Sequence, residues 1–229
     1  MVEWSITAVL KTAVPRGTGG SNPSLSAKHN KPADFQQVYS FKKRLVFKDK
    51  MKEVRITSAN ANDKQLRKLY ETAFPVDEQI PWDDLMRLSG EMSLDFTAYY
   101  DSEEFIGFTS VYPRKSFNWY WYFAVREELR GKGYGQQILN QLMERYKGQT
   151  CVLDMESPYQ QPCDNIEQRK RRHDFYLRNG FRDTNVYRNY NDITMTVMMM
   201  GAGTFTMQDW DNITNELKRF WWRDDINEV

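Results

Sequence analysis

Arg130-Gly131-Lys132-Gly133-Tyr134-Gly135 places three glycines at alternate positions. Before it lies a strand-like aromatic run, Trp119 to Val125. After it, Tyr134, Ile138, Leu139, Leu142, Met143 and Tyr146 repeat at helical spacing. An alternating-glycine turn leaves backbone N–H groups unshielded by side chains. At a helix N-terminus those donors and the positive end of the helix dipole make an anion site suited to a pyrophosphate. A Walker A loop needs Ser or Thr after its lysine, but Gly133 follows Lys132. A Rossmann turn needs G-x-G-x-x-G spacing early in a β-α-β unit. Here the spacing is G-x-G-x-G.

The segments upstream of the turn read as a β-meander. Phe96 to Tyr100, Phe105 to Tyr112 and Phe117 to Val125 are strands joined by the short polar turns Asp101–Glu104 and Pro113–Ser116, with Gly107 expected at a bulge. Thr150 to Met155 is apolar enough for a buried strand. The order strand, glycine turn, helix, strand is a crossover that sets this strand parallel to the aromatic one. A helix over Ile166 to Asn179 follows, closed by Gly180. A final hairpin pairs Phe181–Asn189 with Ile193–Met200 around Asn191-Asp192.

Toward the N-terminus, Val54 to Thr57 is a short strand. Asn62-Asp63 caps a helix with Leu66, Leu69, Tyr70, Ala73 and Phe74 on one face, ended by Pro75. A second helix begins near Pro81 and is closed by Gly90. Residues 1–50 differ in kind. Thr12 to Pro32 is rich in Gly, Ser, Pro and Thr, and cannot bury enough apolar surface to offset its ordering entropy. Met51 opens a stretch that reads like a natural start. Residues 1–50 are therefore expected to be either a disordered extension or a misassigned start, ahead of a domain over 51–200. In a C-terminal segment, 201–229, Trp210, Ile213, Leu217, Phe220 and Trp221 form one stripe. It is expected to pack on the domain, with a homodimer contact as the other use.

The 229 residues carry a net charge of +1, which gives no support for nucleic-acid binding. Two cysteines are too few for a disulfide framework or a zinc site, and His29 and His173 read as isolated, so no metal site is expected. No apolar run reaches transmembrane length, and no signal-peptide core is present. The expectation is a cytoplasmic protein with no membrane partner.

The chain resembles the GCN5-related N-acetyltransferase (GNAT) family. Arg130, Gly133 and Gly135 match its Arg/Gln-x-x-Gly-x-Gly/Ala motif, and Phe123-Ala124-Val125 match the apolar-Ala-Val end of the preceding strand. Phe175-Tyr176-Leu177-Arg178-Asn179-Gly180-Phe181 match its later Phe-Tyr-x-x-x-Gly-Phe motif. The resemblance spans Val54 to Met200. It implies an α/β (α+β) acyl-CoA N-acyltransferase fold: a mixed, mostly antiparallel sheet of six or seven strands flanked by helices.

The resemblance also implies roles. Acetyl-CoA is the acetyl donor. Its pantetheine arm pairs with the backbone near Phe123, Ala124 and Val125, like an added strand. Its pyrophosphate rests on the backbone of Arg130, Gly131, Lys132, Gly133, Tyr134 and Gly135, where a Cβ would keep phosphate oxygens away. The N–H near Val125 polarises the thioester carbonyl. Tyr176 gives a proton to the departing thiolate, a phenol being close enough in pKa to a thiol to do so; its other reading is a packing residue beside CoA. The base is Glu156, with Asp154 second, since both alternate onto one face of the fifth strand. Either carboxylate has a second reading, as a partner of a nearby arginine. Arg169-Lys170-Arg171-Arg172 reads as a solvated or acid-paired helix face, with the CoA 3′-phosphate as the other option. The expected reaction is acetyl transfer to a small-molecule or protein amine by direct attack in a ternary complex. An acyl-CoA sensor without turnover is the alternative.

Overall fold

A computed structural model of the chain describes residues 50–57, 60, 61, 63–74, 76–190 and 193–221. Apart from Lys50, the segment expected to be disordered or misassigned lies outside the described residues. So do His29, Asn62, Pro75 and the Asn191-Asp192 turn.

Among the described residues, seven strands form one sheet. In chain order they are β1 (Lys52–Arg55), β2 (Asp95–Asp101), β3 (Glu104–Pro113), β4 (Asn118–Val125), β5 (Cys151–Glu156), β6 (Arg182–Tyr190) and β7 (Ile193–Met200). Their order across the sheet is β1-β2-β3-β4-β5-β7-β6, and all neighbours are antiparallel except β4 and β5. The helices are α1 (Lys64–Ala73), α2 (Trp82–Glu91), α3 (Tyr134–Arg145), α4 (Ile166–Arg178) and α5 (Met207–Trp221). This is the mixed, mostly antiparallel sheet flanked by helices that the sequence leads one to expect.

Local chemistry sets the element ends. The Asp63 carboxylate accepts from the N–H groups of Gln65 and Leu66, at 2.8 and 3.2 Å, and so starts α1. Pro81 precedes α2, whose first turn carries Asp83 and Asp84 at the positive end of the helix dipole. Gly90 does not close α2 as expected. The helix runs through it to Glu91, the Met92 N–H donates to Leu88 O at 2.8 Å, and Ser93 takes the left-handed turn with φ +53°. A serine performs the reversal there, so no glycine is required at the cap.

Two strands carry an extra residue. Between β2 and β3, Tyr99 faces Gly107 but Tyr100 faces Phe105, so Ile106 is the inserted residue, one position before the glycine expected there. Gly107 has a different reason to be glycine: a Cβ would sit 2.1 Å from Ala124 O. Between β3 and β4, Ser110 faces Tyr122 and Val111 faces Tyr120, leaving Trp121 as the insertion.

That second insertion breaks the in-out alternation of the aromatic strand. Trp119, Trp121, Tyr122 and Ala124 join one core, with α1, α2 and α5. Tyr120, Phe123 and Val125 join the other, with Ile138, Leu139 and Leu142 of α3 and Tyr176 of α4. The sheet therefore separates two cores. The stripe on α5 is used within the chain: Trp210, Ile213 and Leu217 are buried, and the Trp210 ring meets that of Trp119 edge-on at 6.1 Å. Glu216 of α5 accepts from Tyr112 OH at 3.0 Å and from Arg114 Nε at 2.9 Å, tying the helix to the β3 end.

Candidate active site

The parallel pair β4 and β5 stays together for two registers only, Asn118 with Cys151 and Trp119 with Val152. Beyond Trp119 the strands diverge. Their backbones show what faces the gap. Arg126 N–H donates to Ile106 O at 2.9 Å, so even-numbered residues at this end of β4 turn their polar groups to β3. Phe123 and Val125 turn theirs the other way. On β5, Ser157 N–H donates to Thr194 O at 2.7 Å, so odd-numbered residues serve β7 and the backbones of Asp154 and Glu156 face β4. Beyond Trp119 no β4–β5 ladder joins the two banks of the gap. Arg130 Nε takes Val125 O at 3.2 Å, fixing the glycine turn to the strand end.

The turn sits at the start of α3, with Gly133 as its N-cap. Gly131 and Gly133 have φ of +73° and +87°, a region that other L-residues avoid. A Cβ on either would meet no protein atom within 4 Å, and one on Gly135 would only touch Val125 Cγ2 at 4.0 Å. The space over the turn is open, and the first-turn N–H groups of α3 have no intrahelical acceptor. Lys132 is exposed, while Tyr134 is buried and its hydroxyl donates to Asp101 at 2.8 Å. An open, glycine-lined helix start beside two unladdered strand edges fits a diphosphate joined to an extended amide chain, as in CoA.

Tyr176, Phe123, Val125, Leu153 and Met155 belong to the same core, so the phenol lies on the α3–α4 side of the gap. Tyr176 is 2% exposed, and its hydroxyl has no hydrogen-bond partner among the described residues. Burial pushes it well above the usual phenol pKa; the charge of Arg172 works in the opposite direction.

The two carboxylates have different surroundings. Asp154 is fully buried, and Trp119 Nε1 donates to its Oδ1 at 3.2 Å. It lies close enough to Tyr122 to disfavour ionisation of that buried phenol. Glu156 instead holds two arginines, Arg169 Nη2 at 3.2 Å on Oε1 and Arg172 Nη1 at 3.3 Å on Oε2. Asn165 Nδ2 adds a contact of 3.4 Å to each oxygen. An ionised carboxylate has about four acceptor positions, and these contacts address all of them.

The basic run is thus divided. Lys170 and Arg171 are exposed, whereas Arg169 and Arg172 are buried against Glu156. The signal was in the spacing: residues 169, 172 and 176 fall on one helical face, so burying Tyr176 buries both arginines. His173, expected to be isolated, is 6% exposed. Its Nε2 lies 2.9 and 3.0 Å from the two oxygens of Asp183, which also accepts from Tyr159 OH at 3.0 Å.

A central parallel pair that splays open, with a glycine turn leading into the helix between its strands, defines an acyl-CoA N-acyltransferase fold. Comparison narrows this class. Residues 93–183 match the family model described as an acetyltransferase (GNAT) domain. Over those residues the chain is similar to a GNAT acetyltransferase domain. Among solved structures, it is similar to a protein assigned to the GNAT acetyltransferases from Bacteroides thetaiotaomicron, at 25% identity and a TM-score of 0.59, covering 72% of this chain and 95% of that one. It also shares the fold of the ribosomal-protein-S18-alanine N-acetyltransferase of Escherichia coli, at 14% identity and 0.51 over 68% and 96% of the two chains. An aminoglycoside 6′-N-acetyltransferase complexed with coenzyme A gives 18% and 0.51 over 65% and 96%. No protein of curated function matches the sequence. Among the described residues, no helix is long and apolar enough to cross a membrane.

Proposed function

We propose that the chain transfers an acetyl group from acetyl-CoA to an amine by direct attack, with both substrates meeting in the gap between β4 and β5. The divergence of these strands beside an open glycine turn is the observation that carries this reading. Acetyl-CoA supplies a thioester-activated acyl group and a thiol leaving group. Gly131, Gly133 and Gly135 keep side chains away from the diphosphate, and the first-turn N–H groups of α3 bind it. The Phe123 and Val125 backbones hold the pantetheine arm, and the Val125 N–H polarises the carbonyl. Tyr176 protonates the departing sulfur from the α3–α4 side.

The base falls to Asp154 rather than to Glu156. Glu156 is engaged by two guanidiniums, whereas Asp154 is oriented by a neutral indole and faces the opposite core. The amine then approaches from the α1–α2–α5 side and gives its proton to Asp154, directly or through water. Among the described residues neither cysteine has a basic partner suited to a covalent step, and burial pushes the Cys151 thiol up.

A screen of polyamines, aminoglycosides, amino acids and peptide N-termini, read by thiol release, tests the activity. Tyr176→Phe should abolish release while CoA still binds. Tight CoA binding with no release for any amine establishes the sensor reading instead.

A further inference from the structure

The buried face of α4 carries more charge than Glu156 compensates. One carboxylate meets two guanidiniums, those of Arg169 and Arg172, and Arg130 lies near enough for its charge to act on Arg172. Arg169 spends its other donors on Asn165 Oδ1 at 2.6 Å, Ser157 O at 3.4 Å and Gln160 Oε1 at 2.9 Å. Arg172 does not. It is 6% exposed, and its Nε–H is buried with no acceptor among the described residues. Tyr176 follows one turn later on the same face, and the two groups interact electrostatically. A guanidinium fixed on one side, short of an acceptor on the other and set against a phenol is arranged to receive developing negative charge.

We propose that Arg172, anchored by Glu156, is a positioning residue that fixes a positive charge beside the Tyr176 hydroxyl and so makes this buried phenol a working acid. The proposal rests on the reading of the gap as an acetyl-transfer site. Tyr176 gives its proton to the sulfur as the sulfur takes the electron pair of the breaking C–S bond. The amine nitrogen bonds to the carbonyl carbon, and its surplus proton passes to Asp154. The phenolate charge left on Tyr176 rests against Arg172 until water returns a proton. Glu156 acquires a role different from that of a base: it holds the arginine in place.

The test uses the full-length chain and free CoA. The charged groups around Arg172 are Glu156 of β5, Arg169 of α4 and Arg130 ahead of α3, and they stay in place in its variants. The bound thiol is titrated by its thiolate absorbance. In the wild type the midpoint should fall below that of free CoA. Arg172→Gln should raise it by about one pH unit, as expected for losing a close cation, and Arg172→Lys should restore most of the effect. A midpoint in Arg172→Gln equal to that of the wild type makes the arginine merely structural and overturns the proposal. Should Arg172→Gln not fold, a wild-type midpoint at or above that of free CoA overturns it without any variant. Failure of the wild type to bind CoA sinks the acetyl-transfer reading itself, and the proposal with it.

Discussion

Trp119 is the last β4 residue still paired with β5, and its indole N–H reaches two residues beyond that pairing to hold Asp154, Nε1 to Oδ1 at 3.2 Å. The bond crosses the point where the strands part. It makes the aromatic core responsible for the orientation of a buried carboxylate. Asp154→Asn keeps an acceptor for the indole but removes proton acceptance, so kcat should fall by about 100-fold or more while CoA affinity is unchanged. Trp119→Phe removes the donor and should destabilise the fold by about 1–3 kcal/mol, read by denaturant unfolding. Full activity in Asp154→Asn would return the base to another group.

Glu156→Gln separates a base from an anchor. Removing one partner from a buried ion pair costs about 3–5 kcal/mol in general; Gln retains an acceptor, so about 3 kcal/mol is expected here. The unfolding midpoint should drop well before any loss of catalytic power is accounted for. A variant as stable as the wild type but unable to turn over would show Glu156 to be the base after all.

Gly133→Ala probes the turn. The left-handed backbone at φ +87° costs an alanine about 1–2 kcal/mol. The new methyl meets no protein atom within 4 Å, so only that strain should register in stability. CoA affinity, read by calorimetry, should fall by more than tenfold because the methyl enters the space over the turn. Unchanged affinity would place the diphosphate elsewhere.

Gly107→Ala tests the close β3–β4 packing. Its Cβ would lie 2.1 Å from Ala124 O and 3.0 Å from Val125 Cα, both backbone atoms that cannot rotate away. A loss of about 3 kcal/mol or failure to fold is expected. Because the strain falls on the β4 end, any folded protein should also bind CoA less well.

Acid should weaken the β1–β2–α3 junction through Asp95. Burial works to raise this carboxyl, but Tyr146, Thr97 and Arg145 overcome it and leave Asp95 below the usual carboxylate range. A folded-state pKa below the unfolded value of about 3.9 adds stability that is fully present above that value. It is lost as pH falls through the lower, folded value. Asp95→Asn should therefore be less stable than the wild type at pH 7, with the difference shrinking below about pH 4. A difference independent of pH would mean that the charge of Asp95 contributes nothing.

The sequence made the sheet legible because its strands are bounded by short polar turns and its glycine turn has one spacing. Periodicity located Leu66 to Ala73 on α1 and Ile138 to Leu142 on α3, and both sets are buried as expected. The divergence of β4 from β5 was not legible from composition, since it depends on where a ladder stops. The Trp121 insertion was hidden as well, because a run of four aromatic residues shows no break in alternation. Arg169 and Arg172 are acid-paired, one of the two readings the basic run allows, but their burial was not legible from it. Charge content alone argues for solvent, and only their phase relative to Tyr176 shows that they face inward.

The two cores share no side chain, and the sheet stands between them with one slit where β4 and β5 part. Repacking around Tyr70, Trp82 or Trp210 on one side leaves untouched the residues that shape the glycine turn on the other. Under the proposed reading, such a partition would let a lineage rewrite what it accepts without relearning how to hold what it gives.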